Sequence, residues 1–521
     1  MSRAITQVDE ASRPPPAGMS CEPPAMPSEA LERPVPAADV ELCGPLKDSG
    51  FEDAQWLVRR GGAYLQMTEL LYRLLEKADG RRTLPEIAAG MSEAIGLTIS
   101  ADGVQYLLAT RLVPAGLVTA ADAATPDAVR SERAGPARSP LGVNLRLRLV
   151  SPRLINPLTV ALQYLYLPPI LVMILLAAVV SHWWLYRIHG LDGGLYATLH
   201  TPGLALVLLA AVVVSAAFHE LGHAAALRYG GAEVRGMGVG MYLMYPVFYT
   251  DVTDNYRLGR WARVRTDLGG FYFNVIFGLV MLGLYLLTGQ EFLLLMVTLT
   301  DLEIVYQLLP FARLDGYWAL ADLTGIPDFF SEMGAFIRSV LPVPGWEGRR
   351  LPRLKWWAAL VFGLFSLLAV PTLALFFFGA LKRFPRMVST AESALMIQTA
   401  TLSGAQRAGD VLGVAVSIVH MISLALPMLA ATFMLFNLGR RLIRALWHWA
   451  GPCPARRAVA SLATGAAIAL IGFLWAPQVD LGKGLAVPAG VHASVPSALP
   501  IAPTEPAAPA ATPGPSAPPA P

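Results

Sequence analysis

The stretch AAFHELGHAAAL, residues 216 to 227, places two histidines and a glutamate at the end of a run, Thr201 to Phe218, that has no charged residue. His219 and His223 stand four apart, so on a helix they share one face about one turn apart and their ring nitrogens can converge on one ion. Glu220 follows the first histidine, where it can take a proton from a water bound to that ion. This is the H-E-x-x-H arrangement of zinc-dependent hydrolases. Bound zinc lowers the pKa of water to about 7, which supplies a nucleophile at neutral pH. The bland alternative is a chance match, with the histidines acting as hydrogen-bonded core residues. An acid deep in a spanning helix costs about 2.5–3.5 kcal/mol on insertion scales, however, so Glu220 needs a reason to be there. A metal site accounts for all three residues together.

Two imidazoles are too few, because a catalytic zinc normally has three protein ligands and one open position. The best third ligand is Asp315 in YQLLPFARLDGYWAL, where Pro310 and Gly316 should break the helix and expose the carboxylate. Competing acids are less well placed. Asp301 and Glu303 fall nearer the outer end of their segment, and Asp251 and Asp254 lie in a loop. His182, His189 and His200 fall on the outer side and are expected to face water.

The elements that must carry these residues are set by composition. Of 521 residues, 55% are hydrophobic and 15% charged, against about 25% charged in ordinary soluble domains, so a membrane protein is expected. The net charge of +3 gives no case for nucleic acid. Cys21, Cys43 and Cys453 have neither disulfide-framework nor metal-knuckle spacing. Seven apolar segments reach the roughly 20 residues of a crossing, near 163–186, 202–226, 262–288, 291–312, 356–381, 410–436 and 456–476. Arg130, Arg133, Arg138, Arg146, Arg148 and Arg153 precede the first, which puts the N-terminus in the cytoplasm. Arg257, Arg260, Arg263 and Arg265 agree with that orientation; Lys382, Arg383, Arg386 and Arg407, in a loop that would fall outside, do not. In this topology the second and fourth spans bring the histidine pair and Asp315 to the same depth near the cytoplasmic face.

The expected fold is therefore mostly α: a polytopic helical bundle of about seven spans over residues 150–478, preceded by a small winged-helix-like α/β domain over 41–125. Residues 1–40 are proline-rich and should be disordered, as should the Pro/Ala-rich tail 479–521; 126–149 is a linker. In the small domain TELLYRLLEKADG has helical spacing and ends on Gly80. Thr83, Pro85 and Glu86 open a second helix, and SADGVQYLLATRLVPAGLV gives a third helix and a short strand. The segment 232–256 alternates glycine, methionine and aromatics. It reads either as a hairpin whose exposed edge pairs with an extended substrate or as a packed re-entrant loop.

HELGH followed by a distant LDG, both in apolar surroundings, resembles the site-2 protease family of intramembrane zinc metalloproteases. From HELGHAAALRYGG through LGGFYFN to YQLLPFARLDGYWALADLTGIP, about residues 200 to 328, the chain is similar to its bacterial peptide zinc metalloprotease branch. The resemblance implies one Zn2+ bound by His219, His223 and Asp315, with Glu220 as general base, in a multi-pass protein of the bacterial cell membrane. Asn274 matches the asparagine of the family's G-P-x-x-N pattern, here GFYFN with Phe271 in place of proline. Gln307 stands where asparagine is common. Those amides are substrate-positioning candidates; for Asn274 an interhelical hydrogen bond is the structural alternative.

The N-terminal residues AYLQMTELLYRLLEKADGRRTLPEIAAGM and VQYLLATRLVPAGLV resemble the PqqD-like domain, which implies binding of a leader peptide as an added strand. Together the two resemblances imply maturation of a ribosomally made peptide precursor, as in the similar intramembrane metalloproteases of daptide biosynthesis. Two alternatives stay open: cleavage of a membrane-anchored regulator, weakened by the lack of a PDZ-like insertion, and a non-catalytic export or immunity component, for which Glu220 would have no use.

Overall fold

The computed structural model describes residues 5–8, 32–120, 146–340 and 351–476, apart from 62, 97, 191, 243, 244 and 452. The expectations for Cys21, most of 1–40, most of the linker and the tail 479–521 lie outside the described residues. Inside them, two short segments correct the expectation of disorder over 1–40. β1 (Ile5–Val8) and β2 (Pro34–Pro36) are strands; pairing to a neighbouring strand satisfies their backbone groups.

In the N-terminal domain β3 (Val40–Pro45), β4 (Gln55–Arg60) and β5 (Ala63–Thr68) form an antiparallel sheet, and β1 adds to β5 in parallel, giving the order β1-β5-β4-β3. Three helices cover it: α1 (Glu69–Lys77), α2 (Leu84–Ile95) and α3 (Ala101–Leu107). α1 closes three residues before Gly80, whose N–H instead donates to the Pro34 carbonyl at 2.9 Å. α2 begins where Thr83, Pro85 and Glu86 place it: the Thr83 N–H donates to the Glu86 carboxylate at 2.8 Å in a capping box. β6 (Val118–Ala120) pairs with β2. Leu71, Leu74, Leu75, Ile87, Met91, Val104, Leu108 and Leu112 point from the helices onto Val58 and Met67. Each such side chain contributes about 1.5–3 kcal/mol by leaving water.

The rest is a helical bundle: α4 (Pro152–Leu162), α5 (Pro168–Trp184), α6 (Asp192–His200), α7 (Pro202–Tyr229), α8 (Arg260–Thr288), α9 (Phe292–Leu308), α10 (Asp315–Thr324), α11 (Phe329–Val340), α12 (Trp356–Ala408), α13 (Val411–Ala450) and α14 (Pro454–Trp475). Six helices are long and apolar enough to cross a membrane, where about seven were expected. The difference is α9. At 17 residues it is about 25 Å long, short of a hydrocarbon core of about 30 Å, whereas α5 continues as helix to His189 and so reaches 22 residues. α9 stops at Leu308 because Leu309 turns extended ahead of Pro310, which has no N–H to continue the ladder.

A second correction concerns Lys382, Arg383, Arg386 and Arg407. They lie within α12, a single helix of 53 residues that ends only where Gly409 adopts a left-handed conformation. The proline positions 371 and 385 are accommodated inside it, so the expected loop does not form.

Between α7 and α8 the chain makes a hairpin, β8 (Met237–Tyr242) and β9 (Tyr245–Thr250), with β7 (Arg146–Val150) from the end of the expected linker paired to β8. Of the two readings of 232–256, the hairpin is the one observed. The order is β7-β8-β9, so β9 is an edge strand among the described residues.

The N-terminal domain is docked on the bundle. Phe51 is buried in one cluster with Tyr317, Phe329, Phe362 and Phe365, from α10, α11 and α12. Gly50 lies so near the Thr324 carbonyl that a Cβ would overlap it. Tyr64 of β5 donates to Asp254 at 3.2 Å and accepts from Arg257 at 2.8 Å, and Arg257 also pairs with Glu41. Burial and the Asp254 carboxylate raise the Tyr64 pKa, which keeps it the neutral donor this junction needs.

Candidate metal centre

α7 carries His219, Glu220 and His223 on two consecutive turns, and all three are buried. Asp315 is the first residue of α10, in the break that Pro310 begins. His219 Nε2 lies 2.8 Å from Asp315 Oδ2; His223 Nε2 lies 3.0 Å from the same oxygen and 3.0 Å from His219 Nε2. One ligand atom from each of the three residues therefore meets at one point. The spatial relation that the sequence implies is the one observed.

The surroundings fit a metal ion. His223 Nδ1 faces the Thr266 carbonyl at 2.8 Å. That carbonyl fixes the proton on Nδ1 and leaves the Nε2 lone pair for an ion, the usual orientation of a metal-binding histidine. His219 Nδ1 and Glu220 Oε2 are buried without a hydrogen-bond partner. Two imidazoles and a carboxylate with an acid beside them are a donor set suited to zinc.

Close helix approach makes room for this arrangement. α7 and α8 pack along each other through Gly222 and Gly269, where a Cβ on either would overlap the other's carbonyl. Small residues are the usual device where lipid supplies no hydrophobic drive between helices. Tyr166 donates its hydroxyl to the Gly222 carbonyl at 2.9 Å and the Gly269 carbonyl at 3.3 Å. A Cβ on Gly270 would overlap the His219 ring, and one on Gly316 would overlap the Leu308 carbonyl. Phe271, in place of the resembling family's proline, sets its ring against His219, centroids 5.8 Å apart.

Asn274 is fully buried on α8, and neither its Oδ1 nor its Nδ2 has a hydrogen-bond partner. The interhelical hydrogen bond considered for it is not formed. Gln307 donates to Glu303 at 2.9 Å. Glu303, expected nearer the outer end, interacts electrostatically with His219 and Asp315; one helical turn separates it from Gln307. Asp301 does stand apart from the centre. It binds His182 at 2.9 Å and Tyr186 at 2.6 Å, while His189 meets Tyr285 at 2.8 Å and Glu291 at 3.4 Å. His182 and His189 are thus paired within the bundle rather than left to water, because an imidazole there is better satisfied by a neighbouring helix. The side chain of His200 lies outside the described residues. Asp254 is paired with Arg235 at 2.7 Å, and Asp251 with Thr253.

Two supports had no sequence signal. Thr250, at the end of β9, donates to the Glu220 carbonyl at 3.0 Å, which fastens the edge strand beside the centre. Arg263, 1% exposed, donates to the carbonyls of Lys47 (3.2 Å), Leu258 (2.9 Å) and Asp322 (3.3 Å). It also pairs with the Asp322 carboxylate at 3.6 Å. One side chain thus ties the N-terminal domain, α8 and the helix of Asp315.

The chain matches no family model, no curated protein and no solved structure. Fold and site define a class on their own: a mostly helical protein with six helices long and apolar enough to cross a membrane, holding a buried His-His-Asp group that could bind a metal ion.

Proposed function

We propose that this protein is an intramembrane zinc-dependent endopeptidase that hydrolyses an amide bond in a ribosomally made peptide precursor. The observation that carries the reading is the meeting of His219, His223 and Asp315 within 3.0 Å of one another, directly beside a buried Glu220 oxygen that has no partner. A purely structural metal site has no use for that carboxylate.

A zinc ion held by the three residues would supply Lewis acidity, lowering the pKa of water to about 7 and polarising the scissile carbonyl. Glu220 takes the proton of the attacking water and returns it to the leaving amine. The substrate must be extended, since a helical carbonyl is engaged by its own hydrogen bond. The β9 edge offers the backbone groups to hold it so, and Thr250 sets that edge against Glu220. To Asn274 and Gln307 we assign the positioning of the peptide. The docked N-terminal domain is the element we assign to binding a leader segment. We assign that face to the cytoplasmic side of a bacterial cell membrane, a reading that the arginines near it support.

Glu220→Gln tests this in purified protein reconstituted in lipid. We expect one zinc per chain as in the wild type, with cleavage of a quenched peptide panel lowered by about 10²–10⁴-fold, the usual worth of a general base. Cleavage at the wild-type rate would remove the proposed base and the reading with it.

A further inference from the structure

One acid near the centre is left without a role. α9 presents Met296, Thr300, Glu303 and Gln307 at helical spacing toward the bundle, while Leu302, Val305 and Tyr306 between them are about 60% exposed on the opposite side. Met296 and Thr300 are fully buried on the inner stripe, at 2% and 1%. Glu303 and Gln307, further along the same stripe, are only partly buried. The packing therefore loosens where α9 reaches the depth of His219.

Four other acids around the bundle face a basic side chain: Asp301 with His182, Glu291 with His189, Asp254 with Arg235, Asp322 with Arg263. Glu303 differs. Its hydrogen bond comes from the neutral Gln307 amide at 2.9 Å, and among the described residues no lysine or arginine pairs with it. Glu303 is attracted by His219 and repelled by Asp315. A divalent ion held by the three ligands would balance Asp315 and Glu220 and leave the Glu303 carboxylate without a cation of its own. A peptide cation arriving there would stabilise its ionised form.

We propose that Glu303 is a specificity-determining residue that selects a cationic nitrogen of the peptide substrate, a lysine or arginine side chain or a free α-ammonium, next to the metal centre. The proposal rests on the hydrolytic reading. The Gln307 amide donates to the Glu303 carboxylate and so restrains it on the inner stripe of α9, and the Gln307 carbonyl oxygen would accept from the same peptide. Selection works by attraction to the matching charge and by repulsion of an acidic residue at that position.

The test is binding in the slowly cleaving Glu220→Gln background, in lipid nanodiscs. The probes are fluorescein-labelled decapeptides that differ only in carrying lysine, glutamine or glutamate at each position in turn, with free or acetylated N-termini. We expect the best lysine peptide to bind roughly tenfold tighter than its glutamine counterpart. Adding Glu303→Gln should abolish that preference, and adding Glu303→Lys should invert it toward glutamate. Dependence on the free N-terminus instead of lysine would identify the α-ammonium as the selected group. Zinc content, measured on each variant, should stay at one per chain, which separates charge selection from a collapsed site. The proposal is overturned by an unchanged lysine preference in the Glu303→Gln variant, or by no charge-dependent binding at all. If charge selection holds while the wild type cleaves none of these peptides, the hydrolytic reading fails and the binding role of Glu303 stands.

Discussion

α8 and α14 are both apolar helices of spanning length, yet they are built for different neighbours. Eleven residues of α8 are buried, among them Arg263, Thr266, Asp267 and Asn274; on α14 Ala460 is the buried residue. α8 meets α7 through Gly269 and Gly270, which leave no room for a Cβ, whereas a Cβ on Gly465 or Gly472 of α14 meets nothing within 4 Å. Apolar composition alone therefore says little about where the chemistry sits. Polar groups are kept where helices approach closely enough to satisfy them, and the outlying helices keep an apolar surface where few protein neighbours reach them.

The sharpest way to break that contrast is a matched pair of glycine substitutions. Gly270→Val should displace His219 and lower zinc affinity by more than about 100-fold, beyond the usual effect of losing a supporting residue. Gly465→Val should leave it unchanged; metal titration of both proteins checks the difference. A pair of arginines comes next. Arg263→Met leaves Asp322 buried without its cation and should destabilise by about 3–5 kcal/mol, and it should loosen α10 and hence Asp315. Arg440→Met, on the partly exposed α13, should stay within about 0.5 kcal/mol; thermal melts with and without zinc compare them. The smallest effect is expected in the N-terminal domain. Thr83→Ala removes a helix cap worth about 1 kcal/mol. The backbone N–H of Thr83 and then its hydroxyl, which donates to Glu86 at 3.0 Å, lower the pKa of Glu86, and alanine removes only the hydroxyl. The contribution of that carboxylate is therefore present at neutral pH and is lost as pH falls through its depressed folded value. The melting difference between Thr83→Ala and wild type should shrink in acid.

Much of the centre is legible from residue spacing because its parts are local. His219 and His223 share a face by helical geometry, and the break at Pro310 that frees Asp315 follows from a missing N–H. α2 starts at Thr83 for an equally local reason. The remaining differences come from local signals that composition hides and from long-range partners. α9 reads as a span by hydropathy but is too short once Leu309 turns. Lys382 and Arg383 read as a loop because they are charged, while the backbone continues as helix to Gly409. Glu303 was placed by distance along its segment, and only the inward stripe of α9 brings it toward His219. Phe51 lies in an unremarkable loop, and nothing local says that it enters the core around Tyr317.

The sequence by itself determined the donor types, their helical spacing and the apolar setting, because these depend on residues within a few positions of each other. The tertiary structure alone decided that β9 lies against Glu220 and that the N-terminal domain is bolted to α8 and α10 through Arg263. Those contacts join residues from 30 to more than 200 positions apart. They form only when small residues let helices and loops close on one another.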